Sequence, residues 1–175
     1  MSIVAGALVV IVAFVVMEPV TWATHRFVMH GPGWFLHESH HRGRGRRFEA
    51  NDVYPVLFAS IVMIALWIGF HGARWRWLIP AGVGVTLYGI AYAFVHDGAV
   101  HRRLPTGTWF RGRVERLVAA HRIHHQTGGE PFGMLLPYVP SSGKRPMSLS
   151  PSTSSSALAE SGSFSNGTRS RLGKG

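Results

Sequence analysis

Between Val53 and Val95 the only charged residues are Arg74 and Arg76, and this pattern restricts the fold more than any other feature of the chain. Val53–Phe70 and Trp77–Val95 contain no charge at all. A helix needs about 20 mostly apolar residues to cross a bilayer, so each run suits one crossing. HGARWR at 71–76 then reads as a tight turn between them, with Trp67, Trp75 and Trp77 as interfacial anchors. A third run, Ile3–Met17, is shorter but continues through Glu18 and Pro19 to Thr24, so this span carries one acid. No Lys or Arg precedes Arg26, so the run lacks the positive start of a signal peptide and reads as a retained span. The expected fold class is an all-α integral membrane protein. About three transmembrane helices are expected, with helical extensions beyond their ends. Three buried helices of a soluble protein are the weaker alternative, because the apolar lengths are uninterrupted.

Ten of the eleven histidines fall in four clusters, and only His71 stands apart. HRFVMH supplies His25 and His30, and HESHH supplies His37, His40 and His41. HDGAVH supplies His96 and His101, and HRIHH supplies His121, His124 and His125. The order H-x4-H then H-x2-H-H therefore occurs twice. The first helix is expected to run to His30, where Gly31-Pro32-Gly33 stops it. Trp34–His41 is expected as a short surface helix, and its three histidines share a face at about 100° per residue. Val114–His125 is expected as a helix stopped by Gly128-Gly129, after a turn at Pro105–Thr108. The H-x4-H pairs suit a regular helix poorly, being about 140° apart. Either a π-type turn aligns each pair, or one member sits where the helix ends.

Charge sets the expected orientation. Sixteen of the eighteen basic residues lie in 25–52 or after 96. The positive-inside rule then places both regions in the cytoplasm, giving a multi-pass protein of the inner (cytoplasmic) membrane with its metal site on the cytoplasmic side. Two spans separate the two histidine pairs, so all four clusters share one side. Arg42–Arg47 reads as a solvated loop near anionic headgroups.

The chain has no cysteine, which excludes thiolate sites, so any metal must use nitrogen or oxygen ligands. Imidazole suits zinc, copper, iron and nickel. Ten ligands exceed the four of zinc or the six of octahedral iron, and two metals of the middle transition series fit the number. Ligating imidazoles must be neutral, and their other ring nitrogen needs a partner. Glu38, Asp52, Asp97 and Glu115 are the candidates for that partner, with Asp97 first because it adjoins His96. A di-iron site beside the bilayer suits oxygen-dependent hydroxylation of a lipophilic substrate. The sequence shows no flavin or nicotinamide fingerprint, so the electrons must come from an external donor such as ferredoxin and its reductase. A metal transporter is disfavoured because the clusters lie at the span ends rather than the bilayer midplane. Nucleic acid is not an expected partner, since the +10 charge forms no basic stripe apart from membrane flanks.

The four motifs resemble those of the bacterial β-carotene hydroxylases of the fatty acid hydroxylase superfamily. NDVYPVLFA at 51–59, YGIAYAFVHDGAVHRRLPTG at 88–107 and PFGMLL at 131–136 extend the likeness over about 8–137. The histidine pattern alone marks the wider group of hydroxylases and desaturases, while HDGAVHRRLP is more specific to the carotenoid branch. The resemblance implies a non-haem di-iron monooxygenase with two iron ions, molecular oxygen as co-substrate and a carotenoid substrate in the lipid membrane. It implies hydroxylation at carbon 3 of the β-ionone ring, taking β-carotene through β-cryptoxanthin to zeaxanthin, or canthaxanthin towards astaxanthin. It also carries the iron ligands onto His25, His30, His37, His40, His41, His96, His101, His121, His124 and His125. No catalytic residue beyond these ligands is expected. A fatty acid or sterol hydroxylase or desaturase is the alternative.

Four expectations remain. Glu18 reads either as a functional acid within the membrane or as a solvated interfacial one. Gly82, Gly84 and Gly89 read as close helix contacts or as room for a ligand. PFGMLLPYVP at 131–140 is too short to span and is expected to pack back on the membrane surface. Residues 1–140 are read as the membrane-embedded hydroxylase domain and 141–175 as a disordered Ser/Gly-rich tail without chemistry.

Overall fold

A computed structural model describes residues 1–42 and 48–137. The tail 141–175, residues 138–140 of the apolar segment and most of the arginine-rich loop lie outside the described residues. The described residues are helical, with no strand among them. Six α-helices follow in order: α1 Ile3–Ala23, α2 Trp34–His41, α3 Val53–His71, α4 Leu78–Ala93, α5 Thr108–Arg113 and α6 Glu115–Thr127. Three continuous helical stretches are long and apolar enough to cross a membrane: Ile3–Met29, Ala50–His71 and Leu78–Val100. Their apolar side chains point outward; Ile3 is 92% exposed and Ile64 60%. Such surfaces are stable in lipid and not in water. The chain is a membrane protein.

α4 packs against both α1 and α3. Two of the three span glycines explain how closely. A Cβ on Gly84 would strike the Val10 carbonyl and the Ala13 side chain of α1, and one on Gly82 would meet Leu66 of α3 at 2.7 Å. Small residues at these positions let the helix backbones approach. Gly89 has nothing near its Cβ position and makes no such contact.

α1 and α4 do not stop where their regular turns end. Each continues as a π-helix, over Thr24–Met29 and Phe94–Val100. The His30 N–H donates to the His25 carbonyl at 3.0 Å, and the His101 N–H to the His96 carbonyl at 2.9 Å. A wider turn of this kind places residues five apart on one face. The two explanations for H-x4-H therefore both apply, because His30 and His101 are also the residues that end these turns.

Three expectations are corrected. Pro105–Thr108 is not simply a turn into one helix: Thr108 opens α5, and Val114 breaks the chain before α6 begins at Glu115. α6 ends at Gly128, whose φ of 67° is left-handed and suits glycine. Glu18 is neither solvated nor at an open interface. It is buried and accepts hydrogen bonds from the Tyr88 hydroxyl at 2.7 Å and the backbone N–H groups of Met134, Leu135 and Leu136. Those bonds also explain why the segment from Pro131 does not simply lie on the membrane surface: it is clipped to α1, with Phe132 and Met134 buried and only Leu136 strongly exposed.

Candidate metal centre

The π turns, α2 and α6 bring all ten clustered histidines together, and they sort into two groups. The ligand-capable nitrogens of His25, His30, His37, His41 and His124 lie within 4.8 Å of one another, and so do those of His40, His96, His101 and His121. His125 joins the second group through its Nε2, 2.9 Å from that of His121. Helical geometry does the sorting. At about 100° per residue, i and i+4 stand 40° apart, while i+3 falls on the other side of i. His37 and His41 thus enter the first group and His40 the second. On α6, His121 and His125 enter the second group and His124 the first.

The nitrogens that face each other are all Nε2. In the first group His25 meets His37 at 3.1 Å, His41 meets His37 at 3.1 Å, His30 meets His124 at 3.1 Å and His124 meets His41 at 3.2 Å. In the second, His96 meets His40 at 3.0 Å and His101 meets His121 at 3.4 Å. The opposite ring nitrogens decide what these contacts are. His25 Nδ1 donates to the Phe132 carbonyl at 2.9 Å, His37 Nδ1 to Asn51 Oδ1 at 2.7 Å, and His124 Nδ1 to the Gly129 carbonyl at 2.6 Å. His40 Nδ1 donates to Glu49 Oε2 at 3.0 Å and His96 Nδ1 to Asp97 Oδ1 at 3.3 Å. Each of these oxygens accepts, so Nδ1 carries a proton, and a ring with that single proton turns a lone pair inward from Nε2. His25 and His37 then oppose two lone pairs, and His40 and His96 oppose two more. Neither contact is a hydrogen bond. Convergent lone pairs of neutral imidazoles are what a cation between them requires, and each group contains one such pair. The residues present fit a metal in each group.

The partners on the outer ring nitrogens were only partly visible in the sequence. Asp97 holds His96, as its adjacency indicated. Glu38 instead pairs with Arg42 at the end of its own helix, and Asp52 with Arg103 at 2.7 Å; among the described residues no bond joins Glu115 to a histidine. Glu49 and Asn51 take the roles expected of Asp52. They precede the second span by a few residues, and the 3-10 turn Ala50–Asp52 swings them inward. Two further acceptors are backbone carbonyls, which no side-chain motif advertises. His121 Nδ1 is buried without a hydrogen-bond partner among the described residues.

Burial also favours the neutral ring at the histidines beyond the spans. Desolvation, followed by the charge that neighbouring histidines would carry, lowers the pKa of His30 to about 4 and that of His41, His101 and His125 to about 3. Desolvation likewise takes His37 to about 4, against the opposing bond to Asn51. His40 and His121 are pushed further down for the same reason. His71 takes no part: it sits at the far end of α3 and bonds to its own helix at the Trp67 carbonyl.

Residues 10–139 match the sequence profile of the family described as fatty acid hydroxylase. The chain belongs to that family. Among its relatives within the curated proteins is a β-carotene hydroxylase of Pseudescherichia vulneris, 43% identical over 128 residues, covering 71% of this chain and 70% of the relative. A β-carotene hydroxylase of Pantoea ananas is 41% identical over 142 residues, covering 77% and 78%. A chloroplastic β-carotene 3-hydroxylase of Haematococcus lacustris is 41% identical over 148 residues, covering 76% of this chain but 44% of the longer relative. No solved structure matches. All ten clustered histidines lie inside the span matched to the family.

Proposed function

We propose that this chain is a membrane-bound non-haem di-iron monooxygenase that hydroxylates carbon 3 of the β-ionone ring, taking β-carotene through β-cryptoxanthin to zeaxanthin. The observation that carries the metal part is the pair of opposed Nε2 lone pairs, His25 with His37 and His40 with His96. The substrate part rests on relatives over 40% identical along most of their length that are named β-carotene hydroxylases, and the carbon-3 position on the chloroplastic relative named a β-carotene 3-hydroxylase. All ten clustered histidines are the proposed ligands, and five would hold each iron.

The reaction balances as R–H plus O2, two electrons and two protons to R–OH plus water. Bound irons supply the activation of O2 that an unactivated C–H bond demands. The protein supplies the rest. Asn51, Glu49, Asp97 and the carbonyls of Gly129 and Phe132 hold the proton on Nδ1, so Nε2 faces the metal. The π turns place the site where α1 and α4 end, next to the apolar surface a carotenoid would approach through lipid. Burial of His25, His37, His40, His96, His121 and His124 keeps bulk water from the ligands. No side-chain acid or nucleophile is required. The electrons come from an external donor of the ferredoxin type with its reductase. The basic residues flanking the site support a cytoplasmic orientation for it. The hydroxylase domain is 1–140, and 141–175 contributes no chemistry.

Pigment analysis of a β-carotene-producing cell that expresses the chain tests the substrate. Zeaxanthin and β-cryptoxanthin should accumulate. Unchanged β-carotene alongside abundant, iron-loaded protein would sink the carotenoid reading. The family description favours one second reading, hydroxylation or desaturation of another lipid, and analysis of fatty acids and sterols in the same cells would reveal it.

A further inference from the structure

Glu18 lies two helical turns before His25, within a span that should exclude charge. Its burial is compensated by an unusual set of donors. Oε1 accepts from the backbone N–H groups of Met134 at 2.9 Å, Leu135 at 3.1 Å and Leu136 at 2.9 Å. Oε2 accepts from the Tyr88 hydroxyl and again from Leu135. Successive N–H groups that converge in this way form a small anion-binding nest.

The segment so held is the one that serves the histidines. At its other end, the Glu130 carboxylate takes Arg26 at 2.7 Å and lies 3.3 Å from Trp22 Nε1, so residues 129–136 are fastened to α1 at two points. Between those points the Phe132 carbonyl accepts from His25 Nδ1, and just before them the Gly129 carbonyl accepts from His124 Nδ1. Both histidines belong to the first group, whereas the Glu49 and Asp97 carboxylates that support the second lie outside this segment.

We propose that Glu18 is a positioning residue for the first histidine group: by fixing the 129–136 strap it holds the two backbone carbonyls that orient His25 and His124. The inference rests on the metal reading above. It explains why an acid is kept inside a membrane span, sixteen residues after the last serine.

The test is iron uptake by the full chain in lipid nanodiscs, loaded anaerobically with ferrous iron, in a set of paired variants. Glu18→Gln keeps the volume but removes the negative charge that the convergent N–H groups bind, and its amide NH2 displaces the acceptor that both the Leu135 N–H and the Tyr88 hydroxyl now use. It should weaken binding at the first group by about 10–100-fold, the range for lost partners of metal-bound histidines, and leave the second group filled. Combined with His40→Ala, which damages the second group, E18Q should bring uptake close to zero. Combined with His25→Ala, which damages the first, it should add nothing. A general loss of folding would lower uptake equally in both pairings and would overturn the assignment, as would wild-type uptake by E18Q. If E18Q does not fold, Gly133→Ala carries the same comparison, because its Cβ would press on Glu18 Oε1 at 2.9 Å. A wild-type chain that takes up no iron would instead bring down the metal reading itself.

Discussion

The two histidine groups are built to one plan and supported by different chemistry. Each takes an H-x4-H pair, His25 and His30 or His96 and His101. Each adds the i, i+4 pair of the triplet that follows, His37 and His41 or His121 and His125. Each then borrows the middle histidine of the other triplet, His124 or His40. The repeat in the sequence thus becomes a reciprocal exchange in space, and neither half can complete its group alone. The supports do not follow this symmetry. The first group leans on neutral oxygens, those of Asn51, Gly129 and Phe132. The second leans on the carboxylates of Glu49 and Asp97. Arg103 binds Asp52 and Asp97 together and so ties the first loop to the exit of the third span. A carboxylate behind an imidazole raises its basicity as a ligand. Equal ligand sets should therefore hold their metals unequally, the second group more tightly.

The largest effect should come from breaking the exchange. Changing any clustered histidine to alanine should abolish hydroxylation, and His40→Ala and His124→Ala are the informative pair. Each sits on one half's helix and serves the other half's group. If the groups are as described, His40→Ala removes metal from the group that contains His96, and His124→Ala from the one that contains His25. Spectroscopy of half-loaded protein would distinguish the two. Identical spectra from both variants would break the two-group arrangement.

Removing supports should give the next largest effect and sharpen the contrast. Glu49→Gln and Asp97→Asn should each weaken metal binding by about 10–100-fold. Asn51→Ala takes away a neutral acceptor and leaves His37 Nδ1 unpaired, a cost of about 1–3 kcal/mol, and should act on the first group alone. Metal titration reads all three. If Asn51→Ala empties the second group, the division of supports is wrong.

Much of this was legible in the sequence, for identifiable reasons. Span lengths follow from apolar runs, and the convergence of four clusters follows from two crossings between them. The sorting of each triplet was not read, although 100° per residue contains it, because a shared face does not say where a second face lies opposite. Glu49 and Asn51 were overlooked in favour of Asp52 because a 3-10 turn reverses which residues point inward. The carbonyls of Gly129 and Phe132 carry no side-chain signal. Glu18 was left between two readings, since its donors come from backbone more than a hundred positions away.

A pH dependence should follow that both groups share, which sets a background against which their difference is measured. Burial lowers His30 and His37 to about 4 and His41, His101 and His125 to about 3, from an ordinary 6.5. Below 6.5 the unfolded chain takes up protons that the folded chain refuses until pH reaches those lower values. The unfolded state therefore binds more protons in this window, and stability falls as pH drops through it. Above 6.5 these groups are neutral in both states and contribute no pH dependence. Metal-free protein in detergent should melt at a clearly lower temperature near pH 5 than near pH 7.5. An unchanged melting temperature would mean that the rings are more open to water than their burial indicates.

The smallest effect is expected at the eleventh histidine. His71 accounts for its Nδ1 at the Trp67 carbonyl of its own helix, 2.8 Å away, and stacks on the Trp67 ring. It is exposed at the end of α3, separated from both groups by the length of that span, about 1.5 Å for each of its residues. His71→Ala removes a local hydrogen bond at a surface, where substitutions usually change stability by about 0.5 kcal/mol or less. Metal uptake and hydroxylation should stay at the wild-type level. A His71→Ala chain that lost metal would mean that imidazole number, and not the reciprocal geometry of the two groups, governs binding.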